Sequence, residues 1–334
     1  MDTHLPSATP GAAAAPNIGA APEHASLACR ESLAALPPTP HAPGKPLGGF
    51  ASTGTLDTSA PTVAQLRHRW EIPMLALGIV LTVIVLALVA VLLIMGETPS
   101  EFAAGVVLGV VGPVVATVLI RYHYWSTISS AVECTPRQFP ELYQVYRDLA
   151  LEMGFREDGE GLEKLPRLYI ANGNGSMNAF AAKCRLRRGY VVLYSDIVDI
   201  AYTHGDFGAM RFVLAHELGH IKCRHVSLWR AAIRPVMEVL RLEPSVTRAQ
   251  EYTADRVALY YAPDCADSMV LLCAGKHLTH RVNMDEYYKS IDAHKDGFWL
   301  KLSNFLVDHA VGFRRMQAIR EAKTHGWDVH GKML

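Results

Sequence analysis

Residues 212–222 read Phe-Val-Leu-Ala-His-Glu-Leu-Gly-His-Ile-Lys. On a helix, side chains four apart lie on one face, one turn above the other. His216 and His220 can therefore grip a single ion, and Glu217 stands close enough to work on a water that the ion activates. Leu214, Leu218 and Ile221 form an opposing apolar stripe, which predicts a helix with one face in a core. Thr203 or Asp206 offers a cap for its start. The chain holds 15 histidines, so this spacing can arise by chance, and a third ligand has to be found.

Glu251-Tyr252-Thr253-Ala254-Asp255 supplies one. Glu251 and Asp255 are also four apart, on a helix expected over 247–262 and ended by Pro263. Glu251 can complete the metal set, with one position left for water. Asp255 can accept the remaining ring N–H of a ligating histidine, His216 in this reading, and so select its tautomer. Cys223 and His225 are rivals for the third place. If the first helix runs on through 225, His225 points about 140° away from His220, at about 100° per residue. Cys223 reads as a small buried thiol.

Around this core, the 334 residues are 50% hydrophobic with zero formal net charge. A balanced charge gives no reason to expect nucleic acid as a partner. The six cysteines are scattered, with no C-x-x-C pair, which reads as free thiols in a reducing compartment. Residues 1–66 are rich in Ala, Pro, Gly, Ser and Thr and show no period. They are expected to be disordered, and the start has neither the basic region nor the apolar region of a secretory leader. Residues 67–122 are expected to form a transmembrane hairpin, with spans over 72–95 and 102–120 joined by the turn Gly96–Glu101. Gly105, Gly109, Gly112 and Pro113 weaken the second span but are tolerated in membranes. Arg67, Arg69 and Arg121 flank the spans, and the turn carries two glutamates, so both outer ends should face the cytoplasm.

Residues 123–334 read as a soluble, mainly helical α+β domain. Phe139, Leu142, Tyr146, Leu149 and Met153 mark an amphipathic helix stopping near Gly154. Strands are expected over 167–171, 177–182 and 190–194, the last two joined by a basic turn through Arg185, Arg187 and Arg188. Residues 226–242 read as an amphipathic helix interrupted by Arg230, Arg234, Pro235 and Arg241, suited to a membrane surface.

On these motifs the chain resembles the HtpX-type membrane zinc endopeptidases, relatives of the type I CAAX prenyl proteases, over roughly residues 70–325. Asn178-Ala179-Phe180-Ala181 is similar to the family's strand before the zinc helix. His309 and Arg315 keep the spacing of a late His-Pro-Pro-x-x-x-Arg signature, without its prolines. The resemblance implies a zincin-type, gluzincin-like domain with a small sheet, one zinc ion per chain, and a bacterial inner-membrane location. It also implies endoproteolysis of membrane or misfolded proteins.

The expected reaction is peptide hydrolysis by a zinc-activated water, with Glu217 as general base. His309 and Arg315 are candidate oxyanion donors. Residues 178–181 are a candidate edge strand for a polypeptide substrate. The rival readings are a catalytically silent zinc-binding membrane scaffold or chaperone-like adaptor, and a zinc aminopeptidase. Oligomeric state is not legible.

Overall fold

In the computed structural model, which describes residues 61–96, 100–161, 163–185, 188–307 and 310–333, Thr62 opens a short helix α1 (Val63–Leu66). Thr62 and Gln65 form a capping box, each side chain serving the other's backbone. Val63 and Leu66 are buried in the main core. The segment read as disordered therefore ends earlier than residue 66; residues 1–60 lie outside the described part. Helix α2 (Glu71–Met95) starts inside the domain, where Glu71 and Leu75 are buried, and becomes exposed toward Ile94 and Met95. Among the described residues it is the one helix long and apolar enough to cross a membrane.

The expected second span lies in helix α3 (Ser100–Ser129). The helix continues past Arg121 and His123 onto the domain. There Tyr124 and Ile128 pack against Tyr169, Tyr190 and Val192 of the sheet. Residues 97–99 of the expected turn lie outside the described residues.

The sheet has four strands in the order β1-β2-β4-β3: β1 (Ala131–Glu133), β2 (Arg167–Ala171), β3 (Ala179–Arg185) and β4 (Arg188–Tyr194). β2 runs parallel to β4, and the other two pairings are antiparallel. β4 is central and carries the buried run Tyr190-Val191-Val192-Leu193, as a strand covered on both faces must. Tyr190 and Val192 face α3; Val191 and Leu193 face the main core. β3 is an edge strand. Between β1 and β2 lies helix α4 (Pro140–Glu152), whose Leu142, Tyr146 and Leu149 are fully buried at the predicted steps. Phe139 caps this helix at φ 63°. Gly154, at φ +83°, lets the chain turn away after it.

The rest is helical: α5 (Ser195–His204), α6 (Phe207–Lys222), α7 (Arg230–Val239) and α8 (Glu243–Tyr261) precede a 3-10 segment, Pro263–Val270. Then come α9 (Leu271–Ala274), α10 (Met284–His294), α11 (Phe298–Leu306) and α12 (Gly312–His325). α6 is capped by Asp206, whose carboxylate accepts from the Ala209 N–H at 3.1 Å. It is buried on almost every side, because α4, the sheet and α8 surround it. α7 turns Ile233 and Met237 onto the foot of α2, beside Leu75. The fit is close: a Cβ at Gly78 of α2 would lie 2.6 Å from the Met237 sulfur. Cys134, Cys223 and Cys273 are free thiols as expected, whereas Cys265 is disulfide-bonded. A cysteine pair formed in space leaves no C-x-x-C spacing to read.

Candidate metal centre

Two crossing helices build the centre. α6 presents His216 and His220 along one line, and α8 brings Glu251 across from the other side. Gly219 allows the approach: a Cβ there would stand 3.2 Å from the Val257 side chain and 3.6 Å from the Ala254 Cα, both on α8. The two histidine Nε2 atoms are 3.2 Å apart. The Glu251 carboxylate lies 3.4 Å from His216 Nε2 and 3.6 Å from His220 Nε2. Bond lengths of about 2.0–2.1 Å in a tetrahedral zinc site put neighbouring ligand atoms about 3.3 Å apart. The two histidine nitrogens stand at such an edge, Glu251 turns Oε2 toward His216 and Oε1 toward His220, and a His-His-carboxylate donor set suits zinc.

The surrounding charges fix these groups. Asp255 Oδ1 is 2.9 Å from His216 Nδ1, so it accepts the ring proton on the side away from the cluster. Arg315 of α12 donates to both Asp255 oxygens, from Nη2 at 2.6 Å and from Nε at 2.9 Å. Its Nη1 lies 3.1 Å from Glu251. A bidentate guanidinium of this kind sets the plane of its carboxylate. Burial alone raises the Asp255 carboxyl, but Arg315 outweighs it and holds the group below its ordinary value. Burial likewise lowers the His216 imidazole, yet the bonds with Asp255 and Glu251 prevail and lift it to about 10. An incoming metal ion has that proton to displace. At His220 burial outweighs the nearby Glu251 carboxylate and holds the imidazole well below the usual histidine value.

Glu217 lies beside the cluster and is buried. Burial pushes its carboxyl up to about 7, within reach of proton transfer near neutral pH. The backbone N–H of Ala181, on the edge strand, donates toward it. Strand β3 therefore runs past the general-base candidate with one edge unpaired. Asn178 precedes the strand, its carbonyl accepting from the Tyr194 N–H at 3.0 Å, and Phe180 turns into the aromatic cluster under α3. A cavity of about 510 Å³ opens beside the strand, lined by Ala181, Ala182, His123, Arg230, Ile233 and Met237 among others. His309 lies outside the described residues.

One expectation fails next to the ligands. The first helix does not continue through 225. It ends at Lys222, Cys223 caps it, and Arg224 adopts φ +61°, a conformation uncommon without glycine. The chain folds back, and the His225 N–H donates to the His220 carbonyl at 2.9 Å. His225 thus lies against His220, with the two Nδ1 atoms 2.9 Å apart. It touches the ring on the side away from Glu251 and does not join the cluster. Arg67, which the sequence shows only as a membrane flank, and Glu71 are buried behind it.

This geometry meets an independent finding. Residues 136–242 match the model of peptidase family M48. The M48 segment takes in α4, strands β2 to β4, α6 and α7, and so includes His216, Glu217 and His220. It stops short of Glu251, which the crossing of α8 supplies. The His-His-Glu cluster is a zinc-protease-like site, and with the M48 match it supports zinc-dependent peptidase activity. No curated protein and no solved structure matches the chain significantly.

Proposed function

We propose that the protein is a membrane-anchored zinc endopeptidase, close in character to the HtpX-type enzymes and their prenyl-protease relatives, acting on membrane or misfolded polypeptides. The observation that carries this reading is the convergence of His216, His220 and Glu251 on one point with Glu217 alongside. Zinc held by these three residues would acidify a water molecule and polarise the scissile carbonyl. Glu217 accepts the water proton and returns it to the leaving amine. The Ala181 N–H steers the Glu217 carboxylate, and the free edge of Asn178–Ala181 accepts the substrate backbone as an added strand. Asp255 keeps His216 in the tautomer that offers Nε2. Arg315 clamps Asp255 and Glu251, and its remaining Nη1 hydrogen is the donor available to an oxyanion, a role shared in this reading with His309.

Two features support an anchor that leaves the domain and returns to it. The foot of α2 and the last turns of α3 both pack on the catalytic domain. Both outer ends then share one side of a bacterial inner membrane, which we take as the cytoplasmic side. A zinc-binding scaffold or adaptor would have no use for a buried carboxylate poised beside the ion, and structural zinc sites close with four ligands.

Detergent-purified protein incubated with an unfolded test protein should cleave internal bonds, and a zinc chelator should stop it. Chelator-resistant cleavage, or none, would remove the reading. Cleavage confined to a free amino end would replace it with an aminopeptidase.

A further inference from the structure

Behind His220 runs a chain of buried polar contacts that the mechanism above does not use. His220 Nδ1 lies 2.9 Å from His225 Nδ1, and His225 Nε2 lies 3.1 Å from Glu71 Oε1. The second Glu71 oxygen accepts from the Thr253 hydroxyl at 2.7 Å, and Arg67 pairs with the first. Glu71 is 0% exposed. Arg67 Nη2 also donates to the Cys223 carbonyl at 2.6 Å, which pins the turn that brings His225 back. Thr253 sits on α8 between Glu251 and Asp255, so the same helix that carries the third ligand holds this carboxylate.

The proton positions follow once the metal's side is assigned. This step rests on the proposed zinc site. A ligand histidine gives its lone pair to the ion through Nε2, so Nδ1 of His220 must carry the hydrogen. That hydrogen can only be donated, and the atom facing it is His225 Nδ1, which must then be the acceptor. A neutral His225 accepting at Nδ1 carries its own hydrogen on Nε2, where Glu71 accepts it. Each group along the line thus has one role that agrees with its neighbour. His216 is served by a carboxylate directly; His220 is served by one through an intervening imidazole.

We propose that Glu71 and His225 are positioning residues for the second metal ligand, holding His220 in the Nε2-ligating tautomer and tying the metal centre to the foot of the membrane helix. Neither touches the substrate or the ion. Residues of this kind commonly change metal affinity by about 10–100-fold when lost.

The test uses the full chain in detergent and reads zinc affinity by competition with a chromophoric chelator. His225→Ala should bind zinc about 10–100-fold more weakly than wild type. Glu71→Gln keeps an acceptor but loses the charge, and should fall between the two. A folded His225→Ala protein with affinity within about twofold of wild type would overturn the proposal, since a lost positioning contact costs more. If the variants do not fold, ring-nitrogen NMR of the zinc-loaded wild type decides. The expected pattern is hydrogen on Nδ1 of His220 and on Nε2 of His225. Hydrogen on Nδ1 of His225 breaks the line and overturns the proposal. Failure of the wild type itself to bind zinc strikes the proposed function instead.

Discussion

His216 and His220 stand one turn apart on the same helix, yet they are held from opposite sides of the fold by different means. On the His216 side, Asp255 and Arg315 form a compact wall from α8 and α12, with every contact made directly. On the His220 side the support comes from a turn with an unusual backbone and from residues at the entry to the membrane helix. Two ligands with the same chemistry thus depend on parts of the chain about 180 residues apart, Glu71 and Asp255. The first wall is local to one helix pair. The second exists only if the N-terminal helices dock correctly, so anchor and metal site form one structural unit.

The largest expected effect touches neither wall. Glu217→Gln should leave zinc bound while turnover drops by about 10²–10⁴, the usual loss for a general base. Parallel measurement of bound zinc and rate checks it. Activity equal to wild type would mean that proton transfer runs elsewhere and that the two walls serve a merely structural ion.

Docking of the N-terminal wall can be loosened without touching a polar group. Leu66 is 0% exposed, and its carbonyl accepts from Arg256 Nε at 3.0 Å. Leu66→Ala should cost about 2–5 kcal/mol by opening a cavity beside these contacts. Denaturation monitored together with zinc release should show both shifting. Zinc retained through that transition would separate the anchor from the site.

On the other wall, Asp255→Ala should weaken zinc affinity by about 10–100-fold. Chelator competition again reads it. The comparison sharpens if this loss exceeds that of Glu71→Gln, because the direct bond to His216 has no intermediary. The reverse order would show the longer support to be the stronger one.

The smallest effect is expected from deletion of residues 1–60. Their composition offers little apolar surface to bury, so thermal stability and proteolysis should stay near wild type. Extending the deletion through Leu66 should not be silent, since Val63 and Leu66 are core. A marked loss from the shorter deletion would show that the N-terminal wall begins earlier than Thr62.

What could be read from sequence was what repeats over one helical turn. The His216–His220 pair, the Glu251–Asp255 pair and the stripe of α4 all follow from a period of about 3.6 residues. Long apolar runs and strand alternation are likewise properties of neighbours along the chain. The crossing that brings Glu251 within 3.4 Å of His216 could be guessed only because a third ligand was needed. The position of His225 could not. It depends on Arg224 at φ +61°, which intrinsic preference disfavours and which surrounding contacts impose, among them the Arg67 bond to the Cys223 carbonyl. Arg67 itself reads as a membrane flank in sequence and is a buried hydrogen-bond donor in the fold. Local spacing determined which side chains share a face. Tertiary packing decided which buried charge each must satisfy, because a carboxylate such as Glu71, out of water, is held only where distant donors converge on it.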